Sequence, residues 1–156
     1  MAKIDIKSMN INELENLLKD LGEPKFRAKQ IYEWLHRHLA CDYSEMLNIP
    51  KSLREELSEK FPLYNCEIER KQVSKLDSTV KYLFEMHDGD YVESVVMKYK
   101  YGYTQCISTQ VGCRMGCRFC ATGRQGLQHS LSTNEIINQI LSIPESERLT
   151  NLVFMG

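Results

Sequence analysis

The sequence lacks any long apolar run and any recognisable leader. No apolar run among its 156 residues approaches the roughly 20 that a membrane-spanning helix needs. Residues 1–5 contain no hydrophobic segment of the kind that a signal peptide carries. Six cysteines without such a segment indicate reduced thiols rather than a disulfide framework. We therefore expect a cytoplasmic protein.

The sequence also lacks acidic residues between Glu93 and Glu135. In a chain whose net charge is −1, this interval holds five cationic residues, which are Lys98, Lys100, Arg114, Arg118 and Arg124. We call residues 94–134 the basic segment. A solvated basic face and an anionic partner such as nucleic acid both account for it, and charge alone does not separate them.

The one cysteine-rich stretch has three cysteines rather than four. Cys113, Cys117 and Cys120 are spaced C-x3-C-x2-C, with a glycine before each of the first two. Such a loop brings three sulfurs together, and three thiolates suit an iron–sulfur cluster. A closed electron-transfer cluster or a structural zinc site would need a fourth cysteine nearby, so one metal position remains open for chemistry. Zinc is the alternative metal, but this spacing favours the cluster. We call residues 110–123 the cysteine loop.

The first sixty residues predict three short amphipathic helices in a module of residues 1–63. Asn10 and Glu13 form a capping pattern, after which apolar residues recur at helical spacing until Gly22. The second and third helices follow prolines and carry two apolar stripes, which are Ala28, Ile31, Leu35 and Leu39, then Leu53, Leu57 and Phe61. Acidic and basic residues are equally common in the module, so a solvated face explains it at least as well as an RNA-binding face.

Residues 64–102 predict β-structure. Residues 79–86 and 91–97 are rich in β-formers and flank an Asp-Gly turn, which predicts a hairpin. An earlier strand over residues 68–73 is expected to pair with it. Glu93 lies on the second arm of the hairpin, and a single strand glutamate is most often solvent-facing.

Residues 103–156 predict one strand–helix–strand unit around the cysteine loop. A β-prone run at residues 103–108 precedes the loop, Ser132 and Glu135 open a helix after it, and residues 151–156 have the apolar pattern of a buried strand. Parallel strands are normally covered on both faces, and one helix cannot provide this. We therefore expect a truncated α/β fold.

Together these motifs resemble a known family. The cysteine spacing, with Phe119 just before the last cysteine, resembles that of the radical S-adenosylmethionine enzymes. More narrowly, residues 106–113 and 117–123 resemble the dual-specificity adenine-C2 methyltransferases of 23S rRNA and tRNA. Residues 21–34 and 49–54 are similar to the accessory domain of that family. The resemblance covers only the first part of a family member. Close relatives of the family methylate C8 of the same ribosomal adenine and confer antibiotic resistance.

The resemblance implies a fold and two cofactors. The fold is α/β, with a small helical module and a β-hairpin extension before the first strand, helix and strand of a truncated radical S-adenosylmethionine partial (β/α) barrel. Cys113, Cys117 and Cys120 would bind a [4Fe–4S] cluster whose open iron chelates S-adenosylmethionine. Radical chemistry is implied, because the C2 carbon of adenine is not nucleophilic.

The resemblance also implies two catalytic residues and several partners. In the family, a C-terminal cysteine carries the methyl group to the base, and a second cysteine releases the RNA through a transient disulfide. That second cysteine matches Cys106, and the family's proton acceptor matches Glu93. The implied partners are 23S rRNA, tRNA and a reduced flavodoxin or ferredoxin. The full-length form is expected to be a monomer.

The sequence stops before several parts of the family pattern, including the methyl-carrying cysteine. We therefore expect an N-terminal fragment that is inactive alone. A C8-methylating relative and a non-catalytic iron–sulfur or RNA-binding module are the alternatives. The other candidates receive simpler roles, namely structural for Cys41 and Cys66, surface for His36, His38, His87 and His129, packing for Trp34, and undecided for Tyr101 and Tyr103.

Overall fold

The computed structural model describes residues 5–155. Residues 1–4, where the predicted helical module begins, and Gly156, where the last predicted strand ends, lie outside the described residues. Contacts divide the chain into two compact units, Met1–Tyr64 and Asn65–Gly156. The first unit is helical and the second is built on a β-sheet, so the predicted α/β class is confirmed.

The described part of the first unit holds three α-helices, which are α1 (Ile11–Asp20), α2 (Phe26–His36) and α3 (Lys51–Lys60). The predicted capping box is present, since the Asn10 side chain accepts hydrogen bonds from the N–H groups of Asn12 and Glu13. The helices bury one apolar core, which includes Leu14, Leu18, Ile31, Leu35, Leu53 and Leu57. Leu39 was predicted to join this core, and that prediction is wrong. Helix α2 ends at His36, and Leu39 follows it with a φ of 56° and an exposed side chain.

The described part of the second unit contains seven strands and two α-helices. In chain order they are β1 (Glu67–Val73), β2 (Val80–Glu85), β3 (Tyr91–Tyr99), β4 (Gly102–Ser108), β5 (Gln110–Val111), α4 (Ala121–Gln125), β6 (His129–Ser130), α5 (Thr133–Leu141) and β7 (Leu149–Met155). Five strands form one sheet in the order β1-β2-β3-β4-β7, and β5 pairs with β6. Strands β1 to β4 run antiparallel, whereas β4 and β7 are parallel. The hairpin and the strand–helix–strand unit therefore share one sheet.

The burial of the strands shows which parts of the sheet are covered. Along β2, Val80, Tyr82 and Phe84 are buried and the residues between them are half-buried, which is the alternation that a strand with one core face shows. Strand β7 has the apolar pattern of a buried strand, yet its residues Leu152, Val153, Phe154 and Met155 are between 39% and 62% exposed. The cause is topological, because β7 is the last strand of the described sheet and has a neighbour on one side only.

Candidate functional site

The chain leaves the sheet at the carboxyl end of β4, passes through the cysteine loop and α4, and returns through β6. At its base, β5 and β6 pair Val111 with His129. Just beyond this pair, the Cys113 N–H donates to the Gly126 carbonyl over 3.2 Å. Gly112 has a φ of 72°, and a Cβ there would collide with the carbonyl oxygen of Gly126. Glycine is therefore required at this position, where two chain segments pinch the base of the loop.

The three loop cysteines differ in burial. Cys113 is buried, Cys117 and Cys120 are half-buried, and all are free thiols. Cys120 donates its N–H to the Cys117 carbonyl over 3.0 Å and occupies the N-cap position of α4. A Cβ on Gly123, within α4, would come within 3.0 Å of the Cys117 nitrogen. Helix α4 thus packs directly against the backbone of the middle cysteine.

An arginine holds the outer turn of the cysteine loop. Nε and Nη2 of Arg124 donate to the Arg118 carbonyl over 3.2 and 3.0 Å. This two-point contact holds the turn between the second and third cysteines. Met115 and Phe119 project from the same loop and are 79% and 92% exposed. The loop therefore presents apolar side chains outward while its backbone is held from within.

An open cavity of about 450 Å³ is lined by four of the predicted site residues, Cys106, Cys113, Cys120 and Glu93. A single zinc ion would hold thiolate sulfurs about 4 Å apart, because Zn–S bonds are about 2.3 Å long. Within the described residues, the three loop cysteines do not form a group whose ligand atoms all lie within 4.8 Å of one another. Two of the loop cysteines, Cys113 and Cys120, line this cavity, and thiolates beside an open space suit an iron–sulfur cluster.

Glu93 reaches this cavity from β3. Its neighbours Val92 and Ser94 are buried, whereas Glu93 faces the other side of the strand, as predicted from the alternation of side chains. Its carboxylate lies 2.8 Å from Lys81 Nζ. Its backbone carbonyl accepts a hydrogen bond of 2.7 Å from Ser108 Oγ. Glu93 is therefore held at the cavity by both its side chain and its main chain.

Cys106 lies where the β3–β4 ladder ends. Val95 and Cys106 form the terminal pair of that ladder. Beyond this pair, serine hydroxyls continue the connection, since Ser94 Oγ donates to the Cys106 carbonyl over 2.8 Å and Ser108 Oγ donates to Glu93. The Cys106 thiol is half-buried and lines the cavity. It is thus accessible from the same space as the loop cysteines.

Sequence reasoning missed a buried polar network behind the cavity. Gln105 and Gln139 are fully buried, and Ser94 is nearly so. Gln139, on α5, hydrogen-bonds both backbone groups of Ser108, and Gln105 connects Ser94 to the Gln139 carbonyl. The one signal in the sequence was a glutamine among the isoleucines of a predicted helix. That signal does not say which residues the glutamine contacts.

Two of the histidines predicted to lie at the surface have carboxylate neighbours. His87 Nδ1 lies 3.5 Å from Glu135. The two ring nitrogens of His129 lie 3.6 Å from Asp88 and 3.5 Å from Asp90. These pairs join the β2–β3 turn to β6 and to the first turn of α5. They therefore help to anchor the strand on which the cysteine loop returns.

The structure separates the basic segment into two groups. Lys98 lies near the end of β3 and Lys100 in the β3–β4 turn, close to the amino end of β4, whereas the three arginines lie on the cysteine loop and α4, beyond its carboxyl end. At the turn, the rings of Tyr99 and Tyr101 stack 5.1 Å apart with an interplanar angle of 7°. Tyr101 is exposed, while Tyr103 packs against the sheet core. Arg114 follows Cys113 and Lys98 follows Met97, and both preceding residues line the cavity.

The remaining candidates lie outside the cavity. Trp34 packs against the helical core and donates Nε1–H to Asn48 Oδ1 over 2.5 Å. Cys66 is buried and Cys41 is exposed. Burial, together with the charge of Lys7, lowers the pKa of His36. Across the described residues, no helix combines the length and apolarity that crossing a membrane requires.

Comparison with known proteins shows which proteins this chain resembles. Residues 4–63 match the family described as ribosomal RNA large subunit methyltransferase N-terminal domain. The "Probable dual-specificity RNA methyltransferase RlmN" of Alkaliphilus oremlandii is 47% identical to this sequence over 100% of the chain. The protein of the same name from Lachnoclostridium phytofermentans is 49% identical over 99% of the chain. By sequence, the chain resembles the N-terminal part of the dual-specificity RNA methyltransferases.

The chain spans less than half the length of these methyltransferases, 46% of the first and 44% of the second. A radical SAM methyltransferase from Sphaerobacter thermophilus, solved by crystallography, has the same fold over 97% of this chain and 47% of its own. The TM-score is 0.82 and the sequence identity is 36%. The resemblance read from the cysteine loop is therefore confirmed, and the fold is that of part of a radical SAM methyltransferase.

Proposed function

We propose that this chain carries the cluster-binding part of a radical S-adenosylmethionine methyltransferase that acts on C2 of an adenine in 23S rRNA and in tRNA. The observation that carries the proposal is the shared cavity, because two loop cysteines, Cys106 and Glu93 border one space of about 450 Å³. The names of the relatives support RNA as the substrate. The solved neighbour supports the cofactor class. The reaction would take place in the cytoplasm.

The cysteine loop would hold the cofactors. Cys113, Cys117 and Cys120 would bind the [4Fe–4S] cluster, and S-adenosylmethionine would bind beside it. When bound, these groups supply one-electron chemistry, with the electron from a reduced flavodoxin or ferredoxin, and the methyl group. The protein's own contribution is position, because the close approach at Gly112 holds the base of the loop and the contact from Arg124 holds its outer turn. The loop arginines place positive charge where RNA phosphates would approach.

Cys106 and Glu93 would complete the reaction on the RNA. Transfer through a methyl-cysteine intermediate leaves the base bonded through carbon to a cysteine sulfur elsewhere in the whole protein. The Glu93 carboxylate then accepts the proton lost from C2 of the base, and the one electron that leaves the adduct with it would return to the one-electron cofactors. The Cys106 sulfur bonds to the sulfur of the other cysteine as the carbon–sulfur bond breaks, and the electron pair of that bond stays with the carbon. The products are a methylated base, after protonation of that carbon, and a disulfide.

Anaerobic reconstitution of this chain with iron and sulfide tests the cluster assignment. We expect about four irons per chain and an electron-spin signal, after reduction, that changes when S-adenosylmethionine is added. Cys117→Ser should abolish both. Cys41→Ser removes an exposed thiol in the helical unit and should change neither, so it is the matched control. Tight binding of one zinc per chain with no retained iron would contradict the proposal.

The site of methylation is tested in the whole protein that contains this chain. Mass spectrometry of nucleosides from treated 23S rRNA and tRNA should show 2-methyladenosine in both. Glu93→Gln should abolish product while the cluster is retained, because the change removes the proton acceptor and keeps the side-chain shape. Formation of 8-methyladenosine instead would refute C2 specificity and favour the C8-methylating alternative.

A further inference from the structure

We propose that Gln139 is a positioning residue that holds the carboxyl end of β4 and thereby places both Cys106 and Glu93. Its effect on the reaction rests on the proposed function, whereas the contact itself rests on the fold. Gln139 lies on α5, outside the cysteine loop and the cavity lining. It acts through backbone groups and not by touching the reacting atoms.

The Gln139 side chain hydrogen-bonds both the N–H and the carbonyl of one residue of β4, Ser108. Its Oε1 accepts from the Ser108 N–H over 3.0 Å, and its Nε2 donates to the Ser108 carbonyl over 3.0 Å. The same Nε2 also lies 3.3 Å from the Glu135 carbonyl of its own helix. The side chain is 0% exposed, so water cannot replace these bonds without a void opening. The Gln139 amide therefore pairs with both the N–H and the carbonyl of Ser108, as the backbone of a neighbouring strand does elsewhere in a sheet.

On its β3 side Ser108 depends on this contact, because the β3–β4 ladder has already ended there, whereas β7 pairs with it on the other side through Met155. The terminal backbone pair is Val95 with Cys106, two residues earlier. At Ser108 the link to β3 is its own hydroxyl, which donates to the Glu93 carbonyl over 2.7 Å. A displacement of Ser108 would therefore move the main chain of Glu93. This is the first route from Gln139 to the site.

A second route runs through the backbone of Gln139 to Cys106. The Gln139 carbonyl accepts from Gln105 Nε2 over 2.8 Å, and the same nitrogen donates to Ser94 Oγ over 2.8 Å. Ser94 Oγ in turn donates to the Cys106 carbonyl over 2.8 Å. Buried polar groups are costly unless they are paired, so this chain of bonds favours one arrangement of the strand end. The two routes meet at α5.

The test compares three substitutions in this chain. Gln139→Leu keeps the approximate side-chain size and removes both bonds to Ser108. Gln139→Glu keeps an acceptor for the Ser108 N–H but loses the donor to its carbonyl. Asn138→Leu is the control, because Asn138 is also buried on α5 and bonds Asn134 of the same helix. A purely structural role for Gln139 predicts that Gln139→Leu and Asn138→Leu differ only in thermal midpoint.

Amide exchange at Ser108 and alkylation of Cys106 report on the strand end itself and not on the stability of the whole chain. With Gln139→Leu we expect the Ser108 N–H to exchange about tenfold faster and Cys106 to be alkylated several-fold faster, measured relative to buried Cys66. With Gln139→Glu, exchange at Ser108 should stay slow while its carbonyl resonance shifts. Asn138→Leu should leave both readouts near wild type. If Gln139→Leu does not fold, Gln139→Glu still tests the proposal. Fast exchange of the Ser108 N–H in Gln139→Glu would overturn it.

Cluster loading separates this proposal from the proposed function. If wild-type chain binds no cluster, the proposed function fails, while the exchange and alkylation results still test the contact. If a cluster forms, Gln139→Leu should weaken the spectral response to S-adenosylmethionine more than Asn138→Leu does. Equal exchange, alkylation and spectral responses in the two variants would overturn the positioning role.

Discussion

Replacing Gly112 with alanine should loosen the base of the cysteine loop. Gly112 has a φ of 72°, and an added Cβ would collide with the carbonyl oxygen of Gly126. This oxygen accepts a hydrogen bond from the Cys113 N–H, with an N···O distance of 3.2 Å. The collision is with backbone, so it cannot be relieved by a side-chain rotation. The two segments at the loop base must move apart, and the hydrogen bond between them is then lost.

The magnitude follows from these two effects. A left-handed backbone costs a residue with a Cβ about 1–2 kcal/mol relative to glycine. Losing the Cys113–Gly126 hydrogen bond adds about 1 kcal/mol. We therefore expect Gly112→Ala to lower the free energy of unfolding by about 2–3 kcal/mol. Gly116 is the matched control in the same loop, because its φ is 63° but a Cβ there would meet nothing within 4 Å. Gly116→Ala should cost only the backbone term.

Urea unfolding followed by circular dichroism measures both variants, and amide exchange at Cys113 locates the effect. The Cys113 N–H should exchange faster in Gly112→Ala and remain protected in Gly116→Ala. After reconstitution, Gly112→Ala should retain less iron than Gly116→Ala. Equal losses of stability in the two variants, with Cys113 still protected, would refute the argument that the pinch requires glycine.

Three further changes test other contacts. Arg124→Met removes both bonds to the Arg118 carbonyl, so a chelator should strip iron faster from the reconstituted chain while the thermal midpoint changes little; an unchanged stripping rate would count against the role of Arg124. Tyr82→Phe removes a 2.6 Å bond to Glu145 and should cost about 1 kcal/mol at neutral pH. Burial and Glu145 raise the pKa of Tyr82 in the folded protein. The contribution of Tyr82 to the free energy of unfolding is therefore complete below the unfolded pKa of about 10 and declines as the pH rises above it. Between pH 8 and 11, the urea midpoint should fall less steeply in Tyr82→Phe than in the wild type. In the whole protein, Cys106→Ser should leave a covalent RNA–protein adduct visible on a denaturing gel, and free methylated RNA at the wild-type rate would contradict its role.

Features whose partners are close in sequence could be predicted from the sequence. The capping boxes at Asn10 and Ser132 each close with a residue three positions later, which a local pattern reveals. The β2–β3 hairpin pairs as its Asp-Gly turn indicates. The spacing of the cysteines is itself a local feature and indicated the radical S-adenosylmethionine enzymes, whereas the residues around them and residues 21–34 and 49–54 indicated the narrower family. Leu39 shows the limit of such patterns, because the helical period continues past the residue at which the backbone turns left-handed.

Features that depend on topology were decided only by the tertiary structure. The basic segment is continuous in sequence, yet its lysines lie near the amino end of β4 and its arginines follow the carboxyl end of that strand. His129 meets Asp88 and Asp90 because the loop returns beside the β2–β3 turn. Gln139 and Ser108 are 31 residues apart, and their bond exists because the chain passes through the loop and then lays α5 against β4. By itself the sequence determined the cysteine spacing and the resemblance to the family. The fold decided which buried amide holds the strand beside the cysteines, because no local pattern encodes the partner of a distant hydrogen bond.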